Sequence, residues 1–122
     1  MRRREVLVFV RREDEFLVLL RSHEGGGYWH CVAGGVEDGE SDLAAAHREL
    51  QEETGLDAAA LQPVGSYVYE PYGISCSCYV AVVDPLWEPT LDHEHVEYRW
   101  CARDDACALL YWPEPRELLE RV

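Results

Sequence analysis

The segment from Gly34 to Leu56 constrains the fold of this 122-residue chain more than any other stretch. It reads GGVEDGESDLAAAHRELQEETGL, a glycine-rich turn followed by a run with helical periodicity. Ser41 is a favourable N-cap residue, and Gly55 stands where a left-handed C-cap residue is wanted. The pattern therefore predicts an α-helix between Ser41 and Gly55, with Leu43 and Leu50 on the face that packs against the core.

A second face of this helix is acidic. Glu49, Glu52 and Glu53 lie three and four residues apart, so their carboxylates converge on one side. Like charges at this spacing destabilise a helix by about 0.2–0.5 kcal/mol per pair. A hard divalent cation removes that cost, and Mg²⁺ prefers oxygen ligands completed by water and substrate phosphates. The alternative is a solvated glutamate-rich face.

The glycine-rich turn supplies further candidates. Gly34 and Gly35 would let the backbone approach a metal ion or a phosphate without an intervening side chain. We therefore predict Gly34 as a metal contact and Gly35 as a substrate contact. Glu40, at the junction of turn and helix, is predicted either to bind the metal or to orient one of its ligands.

The complete spacing of this segment separates the two interpretations. It runs Gly34, five residues, Glu40, seven residues, Arg48-Glu49-Leu50, one residue, Glu52-Glu53, one residue, Gly55-Leu56. At every defined position this pattern resembles the signature of the Nudix hydrolase family. A solvated helix face would not require this spacing.

The resemblance implies an α/β/α sandwich with a mixed sheet. It also implies a divalent-metal-dependent pyrophosphohydrolase that cleaves a nucleoside diphosphate linked to another group. By the same resemblance Glu49, Glu52 and Glu53 are metal ligands, and Arg48 holds the acidic residues in place by ion pairing.

Composition agrees with a single domain over residues 1–122 and restricts its partners. The net charge of −13 argues against a general nucleic-acid or membrane binder. The negative electrostatic potential of such a protein also repels polyphosphates, so Mg²⁺ or Mn²⁺ and local arginines must make the potential positive at the site. Five scattered cysteines without a CxxC pair, and only a short apolar run near the N-terminus, favour a reduced cytoplasmic protein. A monomer or a homodimer is expected.

The rest of the chain predicts a mixed sheet with helices on both faces. Alternating or β-branched runs indicate strands over 5–10, 16–21, 28–33, 61–70, 74–84 and 95–101. A short connection is expected over 57–60. Helices are predicted over 103–110 and 113–121, the second opening at a proline.

Aromatic and basic residues near the motif suggest where a substrate binds. Trp29 and Tyr72 are candidates for stacking on a base or pterin ring, worth about 1–3 kcal/mol per contact. Core packing is an equal alternative for these two and is favoured for Tyr67 and Tyr69. Arg21, at a strand end, is the best candidate for contacting phosphate oxygens.

A charged segment precedes the last strand and supplies a candidate general base. The stretch EHVEYRW, followed by DDACALL, resembles two branches of the family, the dihydroneopterin triphosphate pyrophosphohydrolases and the diadenosine tetraphosphate hydrolases. WHCVAGGVEDGE is more similar to the first branch. On this resemblance Glu94 is the candidate base and Glu97 the second, with Glu53 as a competitor from the motif.

The predicted reaction is water attack on a diphosphate linkage of a nucleoside or pterin triphosphate. A dinucleoside polyphosphate is the alternative substrate. A catalytically silent module that binds a nucleotide to regulate a partner is the alternative function, although the intact set of acids argues against it.

Overall fold

Seven strands and three α-helices form the part of the chain that the computed structural model describes, residues 3–57 and 60–122. In chain order they are β1 (Arg3–Arg12), β2 (Glu15–Arg21), β3 (Trp29–His30), β4 (Val32–Gly35), α1 (Asp42–Thr54), β5 (Gln62–Tyr69), β6 (Ile74–Val82), β7 (His95–Ala102), α2 (Arg103–Leu109) and α3 (Pro113–Leu119). The predicted connection over 57–60 includes residues 58 and 59, which lie outside the described residues. Within the described ranges, none of the helices has the length and apolar character needed to cross a membrane.

The strands form one mixed sheet, as predicted. Its order is β3-β2-β1-β6-β5, with β4 also pairing with β1 and β7 with β2. β1 and β6 run parallel, from the Arg3–Ile74 pair to the Arg11–Val82 pair, and the other pairs are antiparallel. The central position of β1 explains its unbroken buried run from Val6 to Val10, because side chains on both of its faces are covered.

Helices cover both faces of the sheet and confirm the predicted α/β/α sandwich. On one face α1 packs through Ala45, Ala46 and Leu50 against one set of β1 side chains. On the other face α2 and α3 pack against the alternate set, which includes Leu7 and Phe9. These two layers fix α1 against the strands that precede it.

The ends of α1 are those that the sequence predicts. The Ser41 Oγ accepts a hydrogen bond from the Ala44 N–H at 3.1 Å, and Gly55 ends the helix in the left-handed conformation, with φ of 78°. One detail was wrong. Leu43 lies in the first turn and is 45% exposed, so the core-facing stripe begins at Ala45.

The predicted glycine turn is partly a strand. Gly34 and Gly35 end β4, where they pair with Val6 and Glu5 of β1. The chain turns only afterwards, around a hydrogen bond from the Glu40 N–H to the Glu37 carbonyl. The sequence missed this because glycine disfavours strands on average, whereas here a neighbouring strand supplies the backbone partners. Consequently both glycines are held rigidly beside α1.

Candidate active site

A cleft of about 640 Å³ opens where β4 and α1 meet the ends of β2 and β5. Seven residues that the sequence singles out line it: Arg21, Gly34, Gly35, Glu49, Glu52, Tyr72 and Glu94. Four others, Arg48, Glu40, Glu53 and Trp29, lie outside its lining. The structure thus brings together residues from five separate segments of the chain.

Gly34 touches the carboxylate of Glu49. A Cβ atom added at Gly34 would overlap that carboxylate, whereas one added at Gly35 would meet nothing within 4 Å. Glycine is therefore required at position 34 for a close approach of backbone and side chain. This contact brings the Gly34 backbone and the Glu49 carboxylate to the same point of the cleft wall.

Arg48 holds the acidic groups of this wall together. Its Nε and Nη2 donate to the two oxygens of Glu40 at 2.9 and 3.0 Å, and its Nη1 donates to Glu49 at 2.8 Å. Nη2 also donates to the Gly35 carbonyl at 2.9 Å. The hydrogen bonds from Arg48 lower the pKa of Glu40 to about 2, and those with Glu40 and Glu49 raise the pKa of Arg48. Both Glu40 oxygens are engaged, so Glu40 orients Arg48 here.

Glu53 is buried behind Glu49. It is 1% exposed, and its Oε1 accepts a weak hydrogen bond from the Ala33 N–H at 3.4 Å. Among the described residues its Oε2 has no hydrogen-bond partner. Burial, and then the neighbouring Glu49, raise the pKa of Glu53 far above its ordinary value. A buried carboxyl with a free oxygen is unsatisfied as it stands.

The donor atoms of these groups are of the kind that a hard divalent cation prefers. All the candidate donors are oxygens, which Mg²⁺ and Mn²⁺ prefer, and the free Glu53 oxygen lacks a partner that a cation would supply. Within residues 3–57 and 60–122, however, no three acidic, imidazole or thiol groups are already gathered at metal-binding separations. Arg48 holds Glu49 at 2.8 Å and Glu52 more weakly, at 3.4 Å, and the Glu52 side chain is 56% exposed. Binding would require these side chains to close around the ion.

Of the two candidate bases outside the motif, the structure brings only Glu94 to the cleft. Its carbonyl accepts from the Ser22 N–H at 2.8 Å, and its own N–H donates to the Asp92 carboxylate at 3.2 Å. Glu97 instead pairs with Arg99 at 3.1 Å on the surface. These two hydrogen bonds hold the backbone of Glu94 in place beside the cleft.

Two rings on the aromatic side of the cleft belong to residues that the sequence did not single out. Tyr28 and Trp112 line it, with ring centroids 6.0 Å apart, and Arg21 lies 5.6 Å above the Tyr28 ring. Trp29 packs against the core under Arg99, at 4.9 Å. Tyr69, for which core packing was favoured, is buried and also borders the cleft. The alternation of side chains along an extended strand, which places Tyr28 opposite Trp29, was the available signal.

His30 is a further lining residue. It is 6% exposed, and its Nδ1 has no hydrogen-bond partner in the described part of the chain. Burial, followed by the charge of Arg21, lowers the pKa of His30 to about 4. The imidazole is therefore neutral at pH 7, so it offers the cleft a hydrogen bond and no charge.

Comparison with known proteins identifies the class that this fold and site define. The chain matches the NUDIX domain family over residues 1–122. It is 35% identical over 113 residues to the asymmetrical bis(5'-nucleosyl)-tetraphosphatase of Sus scrofa, an alignment that covers 87% of this chain and 76% of the relative. The chain therefore belongs to the NUDIX family, and the predicted enzyme class, a hydrolase of phosphoric anhydride bonds, is confirmed.

Solved structures agree on the architecture. A binary complex of the C. elegans Ap4A hydrolase superposes with a TM-score of 0.84 at 26% identity, covering 97% of this chain and 93% of that one. The E. coli dihydroneopterin triphosphate pyrophosphohydrolase gives a TM-score of 0.78 at 24% identity, covering 97% and 92%. The second likeness supports the fold alone.

Proposed function

We propose that this protein is a Mg²⁺-dependent pyrophosphohydrolase that cleaves a nucleoside or pterin triphosphate into a monophosphate and pyrophosphate. The observation that carries this proposal is the shape of the cleft. An acidic wall carries the α1 carboxylates Glu49 and Glu52, an aromatic wall carries Tyr28, Tyr72 and Trp112, and the two belong to a single 640 Å³ space. A ring on the aromatic wall would place its polyphosphate chain against α1.

The net charge of −13 repels a polyphosphate, so the cleft needs a local positive charge. Arg21 is the residue best placed to supply it. Its Nε donates to the Gly25 carbonyl at 2.9 Å, which fixes the guanidinium and leaves its outer nitrogens for phosphate oxygens. Tyr28 beneath it and Tyr72 at the cleft edge, 67% exposed, offer stacking surfaces for the ring.

The acidic wall is arranged to hold a divalent ion. Glu49, Glu52, Glu53 and the backbone at Gly34 would hold Mg²⁺, with Mn²⁺ as a substitute, and the ion would neutralise phosphate charge and lower the pKa of the attacking water. Arg48 contributes by fixing Glu49 through the 2.8 Å hydrogen bond, so that its carboxylate stays against Gly34.

Glu94 is the proposed general base. It lines the cleft, and its backbone is fixed on both sides, so it can reach a water beside a bound phosphate. Glu53 competes for this role, but its carboxyl is 1% exposed and lies outside the cleft lining. Geometry therefore favours Glu94, with Glu53 acting as a metal ligand.

A second candidate substrate is a dinucleoside tetraphosphate. The Sus scrofa relative is named for asymmetrical cleavage of such a compound, and it is 35% identical to this chain. Such a substrate would have to place its second nucleoside in the same 640 Å³ cleft, whereas a triphosphate carries one ring system. For either substrate we propose a cytoplasmic protein that acts as a monomer or homodimer.

A substrate panel tests the proposal. Purified protein with Mg²⁺ would be given ATP, CTP, dihydroneopterin triphosphate and diadenosine tetraphosphate, with EDTA as the control, and the products separated by chromatography. Monophosphate plus pyrophosphate from a triphosphate supports the first candidate. ATP plus AMP from diadenosine tetraphosphate supports the second. Binding without any Mg²⁺-dependent product would indicate a catalytically silent nucleotide-binding module and overturn both.

A further inference from the structure

We propose that Asp92 and His95 form a positioning pair that sets the orientation of the Glu53 carboxylate and, through it, the affinity of the acidic wall for a divalent ion. This inference rests on the proposed metal site. It assigns a role to a buried histidine that lies outside the motif and outside the cleft lining.

His95 is held between two carboxylates. Its side chain is fully buried, its Nδ1 lies 2.9 Å from the Asp92 Oδ1, and its Nε2 lies 3.6 Å from the Glu53 Oε1. Nε2 has no hydrogen-bond partner among the described residues, nor does the Glu53 Oε2. Burying a polar atom without a partner is costly, so these two atoms, the His95 Nε2 and the Glu53 Oε2, need an explanation beyond packing.

Asp92 fixes more than the imidazole. The same Oδ1 that contacts His95 also accepts a hydrogen bond from the Glu94 N–H at 3.2 Å. A single carboxylate therefore sets the backbone that carries Glu94 into the cleft and the ring that contacts Glu53. The pair thus links the loop before β7 to the buried side of α1.

His95 acts on the site indirectly, as a residue that positions Glu53. It is not among the residues that line the cleft, and within the described part of the chain its ring contacts Glu53 at 3.6 Å. Carboxylates that bind metals are commonly oriented by such outer partners, and losing one typically costs about 10- to 100-fold in metal affinity. At 3.6 Å the contact is longer than an ordinary hydrogen bond, so closing it would pull Glu53 in one defined direction.

The test is Mn²⁺ binding to the full chain, measured by calorimetry without substrate. We expect His95→Leu, which fills a similar volume, to weaken binding about 10- to 100-fold. His95→Gln, which keeps a polar nitrogen near the position of Nε2, should recover part of that loss. The matched control is His93→Leu, because His93 is exposed and only two residues away, and it should bind as the wild type does.

A double mutant that combines changes at both positions shows whether His95 acts through Glu53. In a Glu53→Gln protein, adding His95→Leu should change the Mn²⁺ affinity less than twofold, because the group that His95 orients is already altered. An equal loss in both backgrounds would overturn the inference. So would an unchanged affinity in His95→Leu accompanied only by a lower Tm, which would make the residue purely structural.

Two further outcomes are distinguishable. If the wild type takes up no Mn²⁺, the proposed function fails and this inference fails with it. If the wild type binds and His95→Leu binds equally well, only the inference fails. Should His95→Leu not fold, Asp92→Ala provides the same test because it removes the partner of the ring. It must then weaken Mn²⁺ binding at least several-fold.

Discussion

The two walls of the cleft differ in how their residues come together. The acidic wall comes from one continuous segment, in which Glu49 and Glu52 are placed by the turn of α1 and Gly34 by the strand just before it. The aromatic wall comes from distant segments. Tyr28 precedes β3, and Trp112 lies between α2 and α3.

This difference separates chemistry from substrate choice. The spacing within one helix fixes which carboxylates lie on this side of α1, so the membership of the acidic wall depends little on the rest of the chain. The aromatic wall exists only after the sheet and α3 have packed, and changes in any contributing segment alter it. We therefore expect substitutions on the acidic wall to affect kcat and metal binding, and those on the aromatic wall to affect KM.

The largest expected effect is on turnover. Glu53→Gln should lower kcat by about 100-fold or more in a Mg²⁺-supported assay, because the substitution removes a buried carboxyl that we propose as a metal ligand beside Glu49. Circular dichroism should show an intact fold. Glu117→Gln, an exposed glutamate on α3, is the control and should retain full activity. Full activity in Glu53→Gln would refute the metal assignment of the acidic wall.

A pair of glycine substitutions should sharpen the comparison within β4. In Gly34→Ala the added methyl group overlaps the Glu49 carboxylate and forces it away, whereas in Gly35→Ala the methyl group meets nothing within 4 Å. A displacement of Glu49 that costs about 1–3 kcal/mol in the metal-bound state would lower the Mn²⁺ affinity about 5- to 150-fold. Calorimetry with Mn²⁺ should therefore separate the two variants. Equal affinities would place the ion away from Gly34.

The same contrast explains what could be predicted from the sequence. Both ends of α1, the mixed sheet and the helices on its two faces follow from capping residues and hydrophobic periodicity, which act over a few residues. The pairing of Gly34 with Val6 could not be read in this way, because a strand 28 residues earlier supplies the partner backbone.

The site residues also differ in whether a local sequence pattern identifies them. Glu49 and Glu52 were singled out from motif spacing and Glu94 from the resemblance of the segment before β7, and the structure places all three on the cleft. Tyr28 was missed in favour of its neighbour Trp29, because aromatic content alone does not reveal the face of a short strand. The burial of His95 against Glu53 depends on how β7 and α1 pack together, which no local pattern records.

A substitution on the aromatic wall is expected to have an intermediate effect, which falls on KM. Tyr28→Leu removes a ring that lines the cleft, and losing about 1 kcal/mol of stacking should raise KM about fivefold with little change in kcat. Trp29→Leu is the matched control, since Trp29 packs against the core, and it should lower the Tm without a comparable rise in KM. If Trp29→Leu alone raises KM, the ring of the substrate binds elsewhere.

The smallest expected effect concerns stability rather than catalysis. The hydrogen bonds from Arg48 depress the pKa of Glu40 from 4.5 to about 2, so the folded protein binds the proton less readily than the unfolded chain does. The stabilisation is therefore present above about pH 4.5 and is lost as the pH falls toward 2. Glu40→Gln should lower the Tm at neutral pH, and the gap from the wild type should close on acidification. Because the ion pair is accessible to solvent, the gap should be small and should shrink further with added salt. A gap that persists at the acid end would mean that Glu40 stabilises the fold by something other than its charge pairing with Arg48.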